Sequence, residues 1–168
     1  TKLTNRLSFY PNMTITYSLT FESLLKISFM KYNKVINLFL GTIMFMFGFL
    51  KFFNPFESWY CVQIGASELG QASYALGIAG ELTVGLAFLA LIRFRERFSF
   101  EFYSLLSAFA SVAVIIMMTT ATYVHLHPNV PAEVLPLKIK PPFIPLFFMA
   151  VAVVNLIILS KQYKFSKS

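Results

Sequence analysis

Glu81 stands nine residues after the start of an apolar run, Ala72–Ile92. At ~1.5 Å per residue along a helix, that is close to the midplane of a ~30 Å hydrocarbon layer. A charge at such depth costs at least ~2.5–3.5 kcal/mol, so a carboxyl there must face protein, take up a proton or meet a cation. Two readings are open: a carboxyl that binds a proton or ligand, and a protonated Glu that bridges two helices. Gly77, Gly80 and Gly85 flank it and permit a close helix approach that would shield it. Lys51 closes an earlier apolar run, Val35–Phe53. It can snorkel to the headgroups. It can also reach Glu81: straight helices leave the two roughly 10 Å apart in depth, a gap that a long Lys and a Glu reaching toward each other largely close, offsetting part of the burial cost of both.

His125 and His127 follow the third apolar run and precede Pro128. On an extended segment an HxH pair puts both rings on one side. Two histidines begin a metal site but do not complete one; Glu57, Glu68, Glu133 and Cys61 share this side of the chain. The plainer reading is a pair of interfacial histidines bonded to water and loop carbonyls, and no metal is assigned. Haem is disfavoured, because both histidines sit at one span end and no opposing histidine exists. Met44, Met46, Met117, Met118, Met149 and the 20 phenylalanines read as lipid-facing and packing residues. A flat ligand such as a quinone could use an aromatic cleft among them. The sequence holds no phosphate-binding glycine loop, nucleophile elbow or metalloprotease motif.

Four apolar stretches must position these residues: 35–53, 72–92, 102–124 and 143–160, the last opened by Pro141-Pro142. Each is near the ~20 residues that cross a bilayer as a helix, and none alternates as a barrel strand does. Residues of the AVILMFWYC set make up 57% of the 168 and charged residues only 12%, against about 25% charged in soluble domains. That balance excludes a disordered chain and an ordinary cytosolic enzyme. One cysteine excludes an internal disulfide and CxxC chemistry. The expected fold is an all-α membrane four-helix bundle.

The net charge of +7 suits anionic lipid rather than nucleic acid, because the cations cluster between apolar runs. Lys26, Lys31, Lys34, Arg93, Arg95, Arg97, Lys161, Lys164 and Lys167 fall on one side; Lys51, Lys138 and Lys140 fall on the other. The positive-inside rule then predicts an N-in/C-in topology with two longer outer loops, 54–71 and 125–142. The first loop has room for a short interfacial helix. The second holds five prolines, which oppose a continuous helix, and part of it can fold back on the bundle. Trp59, Tyr60 and Tyr123 fall near outer span ends, where aromatic belts occur. From Met30 onward the chain reads as the opening of a small membrane protein, with a basic patch and then a span. Residues 1–29 are therefore expected to be an extension upstream of the natural start, with 30–168 as the membrane domain. The alternative is a genuine interfacial segment at 20–29. Mass spectrometry of the native N-terminus decides between them.

Three short patterns carry a family resemblance over roughly residues 30–160: Gly48-Phe49-Leu50-Lys51-Phe52, Gly80-Glu81-Leu82-Thr83-Val84-Gly85-Leu86-Ala87 and Thr122-Tyr123-Val124-His125. In these the chain resembles the DoxX-like family of small four-helix integral membrane proteins. The resemblance implies a link to membrane redox chemistry. One branch of the family is a subunit of a thiosulfate:quinone oxidoreductase, and others are tied to oxidative-stress responses. It marks Lys51, Glu81 and His125 as the candidate intramembrane polar site, with His127, Trp59, Tyr60 and Glu68 on its outer face. Beside it stand the open readings of a quinone as cofactor, membrane lipid and a membrane or extracytoplasmic redox protein as partners, a homo-oligomer, and the bacterial inner membrane as location. The competing functions are a non-catalytic scaffold or assembly factor and a small-solute or proton carrier, for which four spans are few.

Overall fold

The computed structural model describes the backbone of residues 11–167 and the side chains of residues 28–164. Five α-helices follow in order: α1 (Pro11–Leu50), α2 (Phe56–Ala66), α3 (Gln71–Arg93), α4 (Phe100–Leu126) and α5 (Phe143–Lys167). No strand occurs among the described residues. Helices Ser28–Leu50, Gln71–Arg93, Phe100–Leu126 and Phe143–Lys164 are long and apolar enough to cross a membrane. The four-helix membrane bundle expected from the sequence is thus the fold observed, and the chain is an integral membrane protein.

The helix of the first span is continuous through Met30 and the lysines after it, so no break in α1 marks the start of the apolar run at Val35. Lys31 and Lys34 stay exposed on this helix, where long stems let ammonium groups reach headgroup depth. At the other end α1 stops at Leu50, not Phe53. Tight bonds from Phe52 N–H to the Phe49 carbonyl (3.2 Å) and from Phe53 N–H to the Leu50 carbonyl (3.0 Å) turn the chain there. Lys51 is therefore the first residue past the helix rather than part of its last turn. Of the expected extension, residues 1–10 lie outside the described residues.

The helices form a closed ring in which α1 packs on α3 and α5, and α4 packs on α3 and α5. Between spanning helices in lipid, packing and hydrogen bonds replace the hydrophobic driving force, so small residues mark close contacts. The contact of α1 with α3 is the most extensive, and Gly85 permits it. A Cβ on Gly85 would lie 2.5 Å from the Phe45 backbone nitrogen and 2.8 Å from its Cα. The core between the helices is built from Leu40, Met44, Val84, Phe88, Leu91, Val114 and Phe148 among others. Leu38, Leu76, Phe109, Ile116 and Phe147 point outward, as lipid-facing side chains do.

The loops cap one end of the bundle. The first contains α2, the short helix for which the sequence left room. The proline-rich second loop does fold back: Val130 and Leu135 are buried with Val124, against Ala66 and Leu69. Its backbone is held by the Lys140 ammonium, which donates to the His127 carbonyl (2.8 Å) and the Val130 carbonyl. The Gln63 side-chain amide of α2 donates to the Val134 carbonyl. At the opposite end α4 starts at the Ser99 cap, whose hydroxyl oxygen accepts from Phe102 N–H at 3.2 Å.

Candidate functional site

Two polar centres occupy opposite halves of the bundle. The first is the ion pair for which the sequence left room. Lys51 Nζ lies 2.7 Å from both Oε1 and Oε2 of Glu81. The turn after Leu50 brings the lysine back over α3, which closes the depth gap that straight helices would leave. The side chains keep 15% and 12% exposure, so the pair is largely shielded. The Lys51 ammonium also sits 3.8 Å from the centroid of the Tyr60 ring, a cation–π contact strengthened by desolvation.

Tyr60 differs from the belt residue expected of it. It is buried with Ile64 and Ile78, and its hydroxyl donates to the Ser73 carbonyl at 3.3 Å. Gly77 makes the space: a Cβ there would fall 1.9 Å from the Tyr60 hydroxyl oxygen. Burial, with the Glu81 charge second and Tyr74 third, pushes the Tyr60 phenol above its usual range, so it remains a neutral donor at physiological pH. The three glycines around Glu81 thus serve three neighbours, with Gly77 admitting α2, Gly80 facing Met117 of α4 and Gly85 admitting α1. Trp59 is half-buried and packs edge-on against Phe56 at 5.4 Å.

The structure does not join His125 to the ion pair by any hydrogen bond among the described residues. His125 is in the last turn of α4, buried, with Nδ1 lacking a hydrogen-bond partner. His127 caps the helix, its ring 5.5 Å from that of Tyr123, and its Nδ1 likewise has no partner. Because α4 runs to Leu126, the two histidines do not share the extended segment expected of them. Among the described residues no three His, Cys, Asp or Glu side chains gather as a metal site; Glu57, Glu68, Glu133 and Cys61 are not drawn around the pair. Glu68 is exposed in the turn before α3, at φ 60°.

The second centre was not singled out from the sequence. Asn33 and Asn37 of α1, Tyr103, Ser107 and Ser111 of α4, and Asn155 of α5 are all buried and bonded together. Asn33 Nδ2 donates to Asn155 Oδ1 at 2.8 Å. Asn155 Nδ2 donates to Asn37 Oδ1 at 2.7 Å and to Ser111 Oγ at 3.0 Å. Asn37 Nδ2 donates to the Tyr103 hydroxyl at 2.9 Å and to Asn33 Oδ1 at 3.4 Å. The Tyr103 hydroxyl donates to Asn33 Oδ1 at 2.7 Å, and Ser107 Oγ donates to Asn37 Oδ1 at 3.0 Å. Asn37 and Asn155 thereby use both amide hydrogens, as a buried amide must to avoid a desolvation cost of ~1–3 kcal/mol per orphaned group. The network crosses the bundle axis and ties three of the four spans.

Its signal in the sequence is the i, i+4 pair Asn33/Asn37, the i, i+4 pair Ser107/Ser111, and a lone Asn155 within an apolar run. These residues carry no charge, so weighing ionisable groups alone passes over them. Beside the network a cavity of about 260 Å³ opens between the start of the first span and the α3–α4 turn, on the end opposite α2.

Fold and composition together define a helical, four-span integral membrane protein that holds, among the described residues, one ion pair and one uncharged network in its interior. Comparison with known proteins adds nothing to this class: no family model, curated protein or solved structure matches the chain.

Proposed function

We propose that the chain is a DoxX-like membrane subunit or accessory of a membrane redox system, and that its working group is the Lys51–Glu81 pair. The observation that carries this reading is a bidentate ion pair on a Glu midway along a span, shielded but not fully buried. Such a pair can exchange its internal bonds for bonds to a ligand without leaving a charge alone in hydrocarbon. A quinone suits these residues, since the Lys51 ammonium is a donor for a ring carbonyl and Glu81 is a proton acceptor. The partnerless Nδ1 of buried His125 is a further polar atom available to a ligand. When bound, a quinone supplies two-electron, two-proton chemistry. Glu81 would hold or release the proton and Lys51 would balance negative charge beside it, while the Tyr60 ring holds the ammonium in register. The nine-against-three distribution of cations supports an N-in/C-in orientation in a bacterial cytoplasmic membrane. In that orientation α2 and the folded-back loop face a redox partner outside.

A second reading, a non-catalytic scaffold, is favoured by one observation: both carboxylate oxygens are already satisfied by a single ammonium. In that case the pair only ties α1 to α3 and α2. Quinone-dependent turnover in membranes, compared between the native chain and Glu81→Gln at equal abundance, separates the two. Loss of turnover supports the redox reading. Unchanged turnover with lowered thermal stability supports the scaffold.

A further inference from the structure

The cavity beside the asparagine network has an uneven lining. At its mouth stand three cations, Lys31 and Lys34 of α1 and Arg95 of the α3–α4 turn. No carboxylate lines it, and no ion pair engages these cations among the described residues. Arg95 is held over the Tyr103 ring, guanidinium carbon to centroid 4.5 Å, so its position is fixed from below. The inner wall includes Gln162 of α5, only 2% exposed, whose Nε2 has no hydrogen-bond partner. A buried amide with idle hydrogens is costly unless something accepts from it. Asn33 and Tyr103 of the network and the apolar side chains of Met30, Ile92 and Phe100 complete the wall. At about 260 Å³ the space is smaller than the ~300–1,000 Å³ of drug-sized sites and suits a headgroup.

We propose that this cavity binds a phosphate-bearing anion. The phosphate lies among Lys31, Lys34 and Arg95, where charge-assisted bonds are strongest, and Gln162 Nε2 donates to an oxygen deeper in. The apolar wall lies against the carbon skeleton. The same chemistry is offered by the headgroup of an anionic phospholipid and by a free phosphate ester. The site is remote from Lys51 and Glu81 and does not depend on the redox reading.

The test uses the full chain in neutral detergent. Thermal unfolding is followed while phosphatidylglycerol, phosphatidylcholine or glycerol 3-phosphate is titrated in. Phosphatidylglycerol is expected to bind at least about tenfold more tightly than phosphatidylcholine. The double change Lys34→Gln, Arg95→Gln should remove that preference, and Gln162→Leu should weaken it several-fold. Lys138→Gln, an exposed cation in the proline-rich loop, should leave it intact. Protection by glycerol 3-phosphate as well identifies a free ester as a ligand; protection by the lipid alone identifies the headgroup. Equal binding of the two lipids by the native chain overturns the proposal. So does a loss of preference in Lys138→Gln as large as in the double variant. The comparison of lipids on the native chain keeps the test decisive if a variant does not fold.

Discussion

The Lys51–Glu81 pair predicts an asymmetry between its two halves. Lys51→Met leaves a carboxyl deep in α3, where a charge costs ~2.5–3.5 kcal/mol and where the nearby glycines supply no side-chain donor. Glu81→Gln leaves an ammonium one residue past the end of α1, free to swing toward the headgroups while its stem stays packed. Its cost should be nearer the ~0–1 kcal/mol of an exposed pair. The double variant removes both charges and should cost about as much as Glu81→Gln alone. The cycle therefore predicts a coupling of about 2.5–3.5 kcal/mol, at the upper end of the range found for residues in direct contact. Reversible unfolding in mixed micelles with an anionic denaturing detergent reads it. Trp59, the single tryptophan, lies next to Tyr60 in α2 and reports on this end of the bundle. Single-variant costs that add to within about 0.5 kcal/mol would refute the reasoning. So would a larger loss from Glu81→Gln than from Lys51→Met.

Three further outcomes follow from other parts of the molecule. Cys61 is the single cysteine and is exposed on α2, so under the N-in orientation a membrane-impermeant maleimide should label it in intact cells; labelling only after lysis reverses the orientation. Gly85→Leu must push the Phe45 backbone away, and it should destabilise the bundle by roughly 1–3 kcal/mol or more, read as a lowered detergent-denaturation midpoint; a native midpoint contradicts the close packing. Asn155→Leu strips partners from Asn33, Asn37 and Ser111, and should cost about 2 kcal/mol, above the ~0.6 kcal/mol average of a single interhelical hydrogen bond in a membrane. A cost below that average would mean the network rearranges freely.

Hydropathy made the four spans legible because a spanning helix must satisfy its backbone internally and bury its polar groups at one price or another. The same signal does not mark where a helix ends. Lys31 and Lys34 read as a boundary, yet their stems allow the helix to continue beneath the ammonium groups. The ion pair was within reach from Lys51 and Glu81 because charge in a span demands a partner. What sequence could not supply was the turn after Leu50 that brings Lys51 back, or the burial of Tyr60, which depends on α2 meeting Gly77 from a separate element. The Asn33–Asn37–Asn155 network stayed hidden for another reason. Its members lie on different helices, each is tolerable singly in an apolar run, and only their meeting at the axis gives them meaning. His125 shows another limit, since a short motif at the end of a span does not reveal that its ring is buried in the last turn of α4 with Nδ1 unpartnered.

The redox reading requires that the Lys51–Glu81 pair serve a quinone. Purification of the native chain and of Glu81→Gln from membranes in mild detergent, with quinone quantified per mole of folded protein, tests this most directly. Quinone bound to the native chain and lost from a folded Glu81→Gln is the predicted result. A native chain that carries none, or equal amounts in both proteins, contradicts it.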